Sequence, residues 1–301
     1  MLHRLLLLAP IILTILTGAS TGEARGVAPA ALTMNGPLTI LSGDNISTIK
    51  PDGNLRTLFQ CSFRRGCGLL ESVDWAPDGR RFAFSVTTLN LSSRYNGIHV
   101  INAATRRDNH IAGDGFDLDW SPEGKRLAYI EYSPGSSRPY GTMYVVATDG
   151  SQPERITGTS GFDYSPSWSP RGNRIAFATK RNGRSWISVT TLRAGLPKLL
   201  VANGWAPAWS PAGGKIAYRS RCGIKLVTPG GKDVTPVGTR RCVSIGMAGK
   251  PIWSPDGKKI AIQTSRGIYT MNADGSQVAR LTKETGRGSL GVGRPTWRPL
   301  H

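Results

Sequence analysis

The chain has 301 residues, 39% of them hydrophobic, which is enough for one large all-β domain or two ordinary domains with a substantial core. Its 37 glycines and 20 prolines, with no sustained heptad or helical period, exclude coiled coils and helical arrays. Lys+Arg number 38 against 19 Asp+Glu, a formal charge of +19 that points to anionic rather than basic partners.

The N-terminus, MLHRLLLLAPIILTILTGAS, has a short basic start, an apolar run from Leu5 to Leu16 and then small residues. It reads as a secretory signal peptide, residues 1–19, with cleavage after Ala19 or as late as Ala24; an uncleaved anchor is the alternative. Residues 20–37 form a linker, and 38–301 are expected to be a single domain outside the cytoplasm, periplasmic or extracellular. The segment GPLTILSGDNISTIKPDGNLRTLF predicts strands at Leu38–Leu41, Ile46–Lys50 and Leu55–Phe59. Four cysteines suit an oxidising compartment. Local pairing predicts Cys61–Cys67 and Cys222–Cys242, although sequence alone leaves the cross pairings open. A zinc site would ask for a C-x-x-C spacing, which is absent.

From Val73 onward one phrase recurs: VDWAPDGRRFAF, LDWSPEGKRLAY, PSWSPRGNRIAF, PAWSPAGGKIAY and PIWSPDGKKIAI, then a truncated PTWRPLH. Its tryptophans, Trp75, Trp120, Trp168, Trp209, Trp253 and Trp297, are spaced by 45, 48, 41, 44 and 44 residues. That period, with several short strands per unit and no amphipathic helix, predicts propeller blades. In the fifth unit the strands fall at Pro251–Ser254, Lys259–Gln263, Ile268–Asn272 and Gln277–Leu281, joined by Pro-Asp-Gly and Ala-Asp-Gly-Ser turns. The last copy stops after its first strand, and the N-terminal strands provide what it lacks. The expectation is an all-β, six-bladed β-propeller with four antiparallel strands per blade. The N-terminal strands complete the C-terminal blade and close the ring, and a closed ring is expected to be monomeric.

The pattern P-x-W-S-P-D-G-[KR]-x-[IL]-A-[FY], followed by IYTMNADGS and a closing L-T, resembles the TolB-type propeller repeat, most closely at Ile268–Thr282 and Met143–Thr157. The resemblance covers about Leu38 to His301 and implies the propeller alone. We expect no counterpart of TolB's N-terminal α/β domain, nor of the hydrolase domain that accompanies similar repeats in prolyl-oligopeptidase-like enzymes. Fold resemblance implies architecture and leaves function to the site.

Catalytic motifs are missing from the sequence: no G-x-S-x-G elbow, H-E-x-x-H or Walker loop occurs. His99 reads as a strand residue and His110 as a surface one. Basic residues follow the first turn of each blade: Arg80, Arg81, Lys125, Arg126, Arg171, Arg174, Lys215, Lys258 and Lys259. Because successive strands reverse, these should form a basic face that attracts acidic glycans or lipid headgroups; no aromatic-basic stacking pattern favours nucleic acid. The opposite, channel-mouth face gathers Glu71, Asp74, Asp117, Asp119, Asp163, Tyr164, Trp205, Lys250 and Arg294. These residues are candidates for a polar or basic ligand. No cofactor is expected; a structural cation in the channel is compatible with the carboxylates, and turn-capping aspartates are the alternative. Two functions follow: a non-catalytic binding module for an envelope protein or anionic polymer, or a glycan lyase or hydrolase using the mouth carboxylates.

Overall fold

The computed structural model describes residues 36–42, 44–50, 54–61, 67–88, 96–132, 141–158, 161–193, 196–237, 249–264, 267–282 and 295–299. The expected signal peptide, Cys242, Arg294 and the glycine-rich stretch before Pro295 lie outside these residues.

The repeated phrase folds into the corner between two strands, and its recurring letters have separate tasks. Turn glycines 79, 124, 172, 213 and 257 all take positive φ, between 56° and 77°. Their N–H groups close turns onto Ala76, Ser121, Ser169, Ser210 and Ser254 carbonyls at 2.8–2.9 Å. The serine after tryptophan also accepts the N–H that restarts the next strand, from Arg126, Arg174, Lys215 and Lys259. In the first copy alanine replaces that serine, and Asp78 Oδ1 accepts from Arg80 and Arg81 N–H instead.

The chain enters with β1 (Leu38–Ser42), β2 (Asn45–Ile49) and β3 (Leu55–Gln60). Blade 1 is β4 (Leu69–Trp75), β5 (Arg81–Thr87), β6 (Gly97–Asn102) and β7 (Asp108–Ala112). Blade 2 is β8 (Phe116–Trp120), β9 (Arg126–Tyr132), β10 (Gly141–Ala147) and β11 (Glu154–Arg155). Blade 3 is β12 (Phe162–Trp168), β13 (Arg174–Arg181), β14 (Arg184–Thr191) and β15 (Lys198–Ala202). Blade 4 is β16 (Gly204–Trp209), β17 (Ile216–Ser220), β18 (Gly223–Val227) and β19 (Thr235–Pro236). Blade 5 is β20 (Ile252–Trp253), β21 (Lys259–Thr264), β22 (Gly267–Asn272) and β23 (Ala279–Arg280). Its outer strand is shorter than the expected Gln277–Leu281, because an edge strand has one neighbour and Val278 points into solvent.

The last strand, β24 (Thr296–Trp297), pairs antiparallel with β1, Leu38 opposite Trp297 and Thr39 opposite Thr296. Blade 6 therefore runs β24-β1-β2-β3, and six four-stranded sheets complete the ring. The closure predicted from the two chain ends is the one observed. Trp75 Nε1 donates to Thr39 Oγ1 at 2.8 Å, tying blade 1 to the N-terminal part of blade 6.

The apolar core is divided into six clusters, each between two neighbouring blades. Trp120, for example, packs with Ala83, Ile98 and Val100 of blade 1, and Trp168 with Ala128, Ile130 and Met143 of blade 2. Trp297 joins Leu38, Ile40 and Ile49 to Ala261 and Ile268 of blade 5. Each tryptophan thus fills the wedge between two twisted sheets, where a large flat side chain buries the most apolar area. Cys61 and Cys67 form the expected disulfide inside the blade 6–blade 1 cluster. Cys222 is also disulfide-bonded.

Candidate functional site

The residue just before each tryptophan lies on the innermost strand, and its side chain decides how one blade grips the next. Asp74 Oδ2 accepts the Trp120 N–H of blade 2 at 3.0 Å. Asp119 Oδ2 accepts the Trp168 N–H of blade 3 at 2.6 Å, and Ser167 Oγ accepts the Trp209 N–H of blade 4 at 3.0 Å. Thr296, in the same position of blade 6, donates its hydroxyl to Asp74 Oδ1 at 2.6 Å. Ala208 and Ile252 occupy this position in blades 4 and 5 and have no side-chain acceptor. The inner ring is therefore strapped by polar side chains from blade 6 round to blade 4.

Lys250, just ahead of β20 in blade 5, reaches across the axis. Its Nζ donates to Asp119 Oδ1 of blade 2 at 2.9 Å and to the Pro166 carbonyl of blade 3 at 2.6 Å. Blades 5 and 2 are diametrically opposite in a ring of six, so this side chain ties opposite sides of the ring together. The side chains of Lys250 and Asp119 are 9% and 19% exposed, so their charges are largely withdrawn from water.

Asp74 belongs to the same group. Burial pushes its carboxyl up to about 7 from an ordinary 3.8, and the neighbouring Asp119 adds to the rise. The Thr296 hydroxyl, the Lys250 ammonium and the Trp120 N–H pull the other way. Because its folded-state pKa lies above its unfolded value, the native state holds the proton more tightly. Stability from this group is therefore lost as pH rises from roughly 4 to 7. Asp163, raised to about 6 chiefly by burial, acts in the same direction. Asp78 and Glu123 are opposed by partial burial but held below their ordinary values by hydrogen bonds and by Arg81 and Arg126, so their contribution fades only in acid. The melting temperature is expected to be higher at pH 5 than at pH 8, and Asp74→Asn should flatten that difference. Calorimetry on both proteins checks this; an unchanged pH slope in the variant would contradict it.

The other mouth residues stand near the start of the inner strands. Asp117 Oδ2 accepts from Ser165 N–H at 2.7 Å and from its hydroxyl at 3.3 Å, another strap from blade 2 to blade 3. Asp117, Ser165 and Ala206 stand three residues before their tryptophans, all with left-handed φ of 48–59° at a register shift of the inner strand. Glu71 is raised by partial burial and by repulsion from Asp117 and Asp114, while a hydrogen bond from Thr87 opposes the rise. Tyr164 hydrogen-bonds Ser185 Oγ at 3.2 Å and is raised mainly by burial. Trp205, half-buried, sits opposite Arg219 in the β16–β17 pair. The structure thus brings Glu71, Asp117 and Tyr164 into electrostatic reach at the mouth, and Asp74, Asp119 and Lys250 together deeper in. Asp163 is elsewhere: it is 1% exposed and paired with Thr179, and Gly141 of blade 2 packs against its carbonyl.

The residues after the first turns split into two groups. Arg81, Arg126 and Arg174 lie over the rings of Trp120, Trp168 and Trp209 of the next blade, 5.0–5.2 Å from the centroids. Arg298, from the other chain end, lies 4.7 Å over Trp75. It donates to the Gly79 carbonyl as Arg81 donates to that of Gly124. These guanidiniums are half-buried interblade contacts. Arg80, Lys125, Arg171 and Lys258 are exposed, and Lys215 and Lys259 are half-buried. Carbonyls of Arg80, Lys125 and Lys258 accept N–H groups from the third-to-fourth-strand turns (Ala103, Thr148 and Ala273), so both turn sets share one face.

Sequence reasoning missed Thr296, Ser165, Ser167, the Pro166 carbonyl and Arg298. The first three have a sequence signal, since each occupies the column of an aspartate in a neighbouring copy. His99 is buried, stacks on Phe84 and meets Asp108 at 3.1 Å; His110 is exposed and meets the Asn96 carbonyl.

A family model described as TolB beta propeller domain matches residues 60–229. A curated relative, the protein TolB homolog of Chlorobium luteolum, is 28% identical over 161 residues, 51% of this chain and 35% of its own length. The match thus spans about a third of that relative. Among solved structures, a protein described as TolB from Agrobacterium tumefaciens superposes with a TM-score of 0.64 at 20% identity, covering 84% of this chain and 92% of that one. TolB from Acinetobacter baumannii gives 0.66 at 20% identity, covering 88% and 66%. A nidogen/laminin complex gives 0.68 at 8% identity, covering 87% and 98%. At these identities the structures share the fold alone.

Proposed function

The chain belongs to the TolB β-propeller domain family, and from that premise we propose that it is an exported, non-catalytic binding module for an anionic polymer of the cell envelope. The observation that carries this reading is the state of the axial carboxylates. Asp74, Asp117 and Asp119 accept main-chain N–H groups of the next blade, and Lys250 crosses the axis to Asp119. Acids of a glycan hydrolase must face an open cleft and exchange protons with substrate. Acids held as interblade acceptors beneath a lysine are suited to rigidity instead. The exposed cations on the outside of the ring remain available to a partner.

Binding through exposed cations is electrostatic and weakens as salt screens it. Immobilised protein should retain polygalacturonate and not neutral dextran at low ionic strength, with retention falling steeply towards 0.5 M salt. Equal retention of both polymers, or of neither, would overturn the reading.

A further inference from the structure

The positive charge is unevenly spread around the ring. Between Asp163 and Asp233 the sequence has no aspartate or glutamate and twelve lysines and arginines. This stretch makes up blades 3 and 4. Between Leu69 and Gly161, the stretch of blades 1 and 2, eleven acidic residues face nine basic ones. One third of the disk therefore carries a concentrated positive field, and the third before it is close to neutral.

Folding alone does not favour this arrangement. Arg181 and Arg184 stand directly opposite each other at the β13–β14 hairpin end, where like charges destabilise a strand pair. Lys180, Arg184, Arg193, Lys198 and Lys232 are exposed, and none of their side chains is in an ion pair among the described residues. Their places in the fold form a path. Lys180 and Arg184 flank the hairpin at the mouth face. Lys198 lies on β15, the open outer wall of blade 3. Arg193 and Lys232 lie at the opposite, turn face. A five-residue strand spans about 17 Å, so the path runs from one face over the wall to the other.

That course selects the kind of partner. A flat bilayer can touch one face of a disk and leaves the other untouched, whereas a flexible linear chain can bend over the rim. Leu196, in the connection leading into β15, is 97% exposed, and Leu199 on β15 is 40% exposed, on either side of Lys198. Sugar rings have carbon-rich faces that cover such groups, and a polyphosphate has none. We propose that the basic sector of blades 3 and 4 is a binding track for an acidic polysaccharide laid across the rim.

This inference rests on the polyanion-binding reading and narrows it to one sector and one polymer class. Two variants with equal charge change separate the two: Lys180→Glu/Arg184→Glu/Lys198→Glu in the sector, and Arg80→Glu/Lys125→Glu/Lys258→Glu on the turn face outside it. All six residues are exposed, and matched melting temperatures would verify that both variants fold; the corresponding glutamine variants substitute if either does not. With polygalacturonate at about 0.1 M salt, where charges beyond about 10 Å are screened, the sector variant is expected to bind about tenfold or more weakly than wild type. The turn-face variant should stay within about twofold by the same screening argument. Weakening confined to the turn-face variant would overturn the sector and leave polyanion binding standing. Tighter wild-type binding to polyphosphate or to phosphatidylglycerol vesicles than to polygalacturonate would overturn the glycan assignment. No wild-type binding to any of the three would remove both readings.

Discussion

Lys250→Ala is expected to lower the unfolding free energy by about 3–5 kcal/mol, the usual cost of deleting one partner of a buried ion pair. The reason is what remains. Asp119 would keep a charge withdrawn from water, with the Asp74 carboxyl as its repulsive neighbour and, among the described residues, the Trp168 N–H to oppose it. The Pro166 carbonyl would lose its donor. In a domain of this size the melting temperature should fall by about 10 °C. Lys250→Met/Asp119→Asn removes both charges and keeps an amide oxygen for the Trp168 N–H, so it should recover most of the loss. The coupling in this double-mutant cycle is the decisive quantity. Additive single and double effects would mean that the axial pair does not bind opposite blades together.

Removing residues 295–301 should have a larger effect still. The deletion takes away β24, the Trp297 side chain that joins blade 6 to blade 5, the Thr296 hydroxyl bond to Asp74, and the Arg298 cation over Trp75. Loss of one buried tryptophan alone costs about 3–5 kcal/mol. Such losses approach the whole stability of an ordinary domain, about 5–15 kcal/mol. β1 would then present an unpaired inner edge, which invites pairing with another chain. The truncated protein is expected to lose its single cooperative thermal transition and to elute as oligomers. Limited proteolysis should cut it within residues 38–60 while sparing blades 2 to 4. A monomer with an unchanged transition would show that ring closure contributes little.

The sequence by itself determined the period, the six-blade count, the turn chemistry and the closure of the last blade by the first strands. Each depends on local patterns: a tryptophan at one place per unit, Pro-x-Gly corners, alternating strands, and two chain ends that each lack what the other has. It also located the carboxylates of the inner strands. Only the tertiary structure decided what they do, because their partners are main-chain N–H groups 46–49 residues away, in the neighbouring blade. The Lys250–Asp119 pair is 131 residues apart and depends on blades 5 and 2 being opposite in a ring of six. The basic residues that follow each first turn take two kinds of place for a similar reason. Twist carries Arg81, Arg126 and Arg174 over the next blade's tryptophan and leaves their neighbours Arg80, Lys125 and Arg171 in solvent. Residue type and spacing are local properties of a chain, whereas the partner of a buried charge depends on which blades the closed ring sets side by side or face to face.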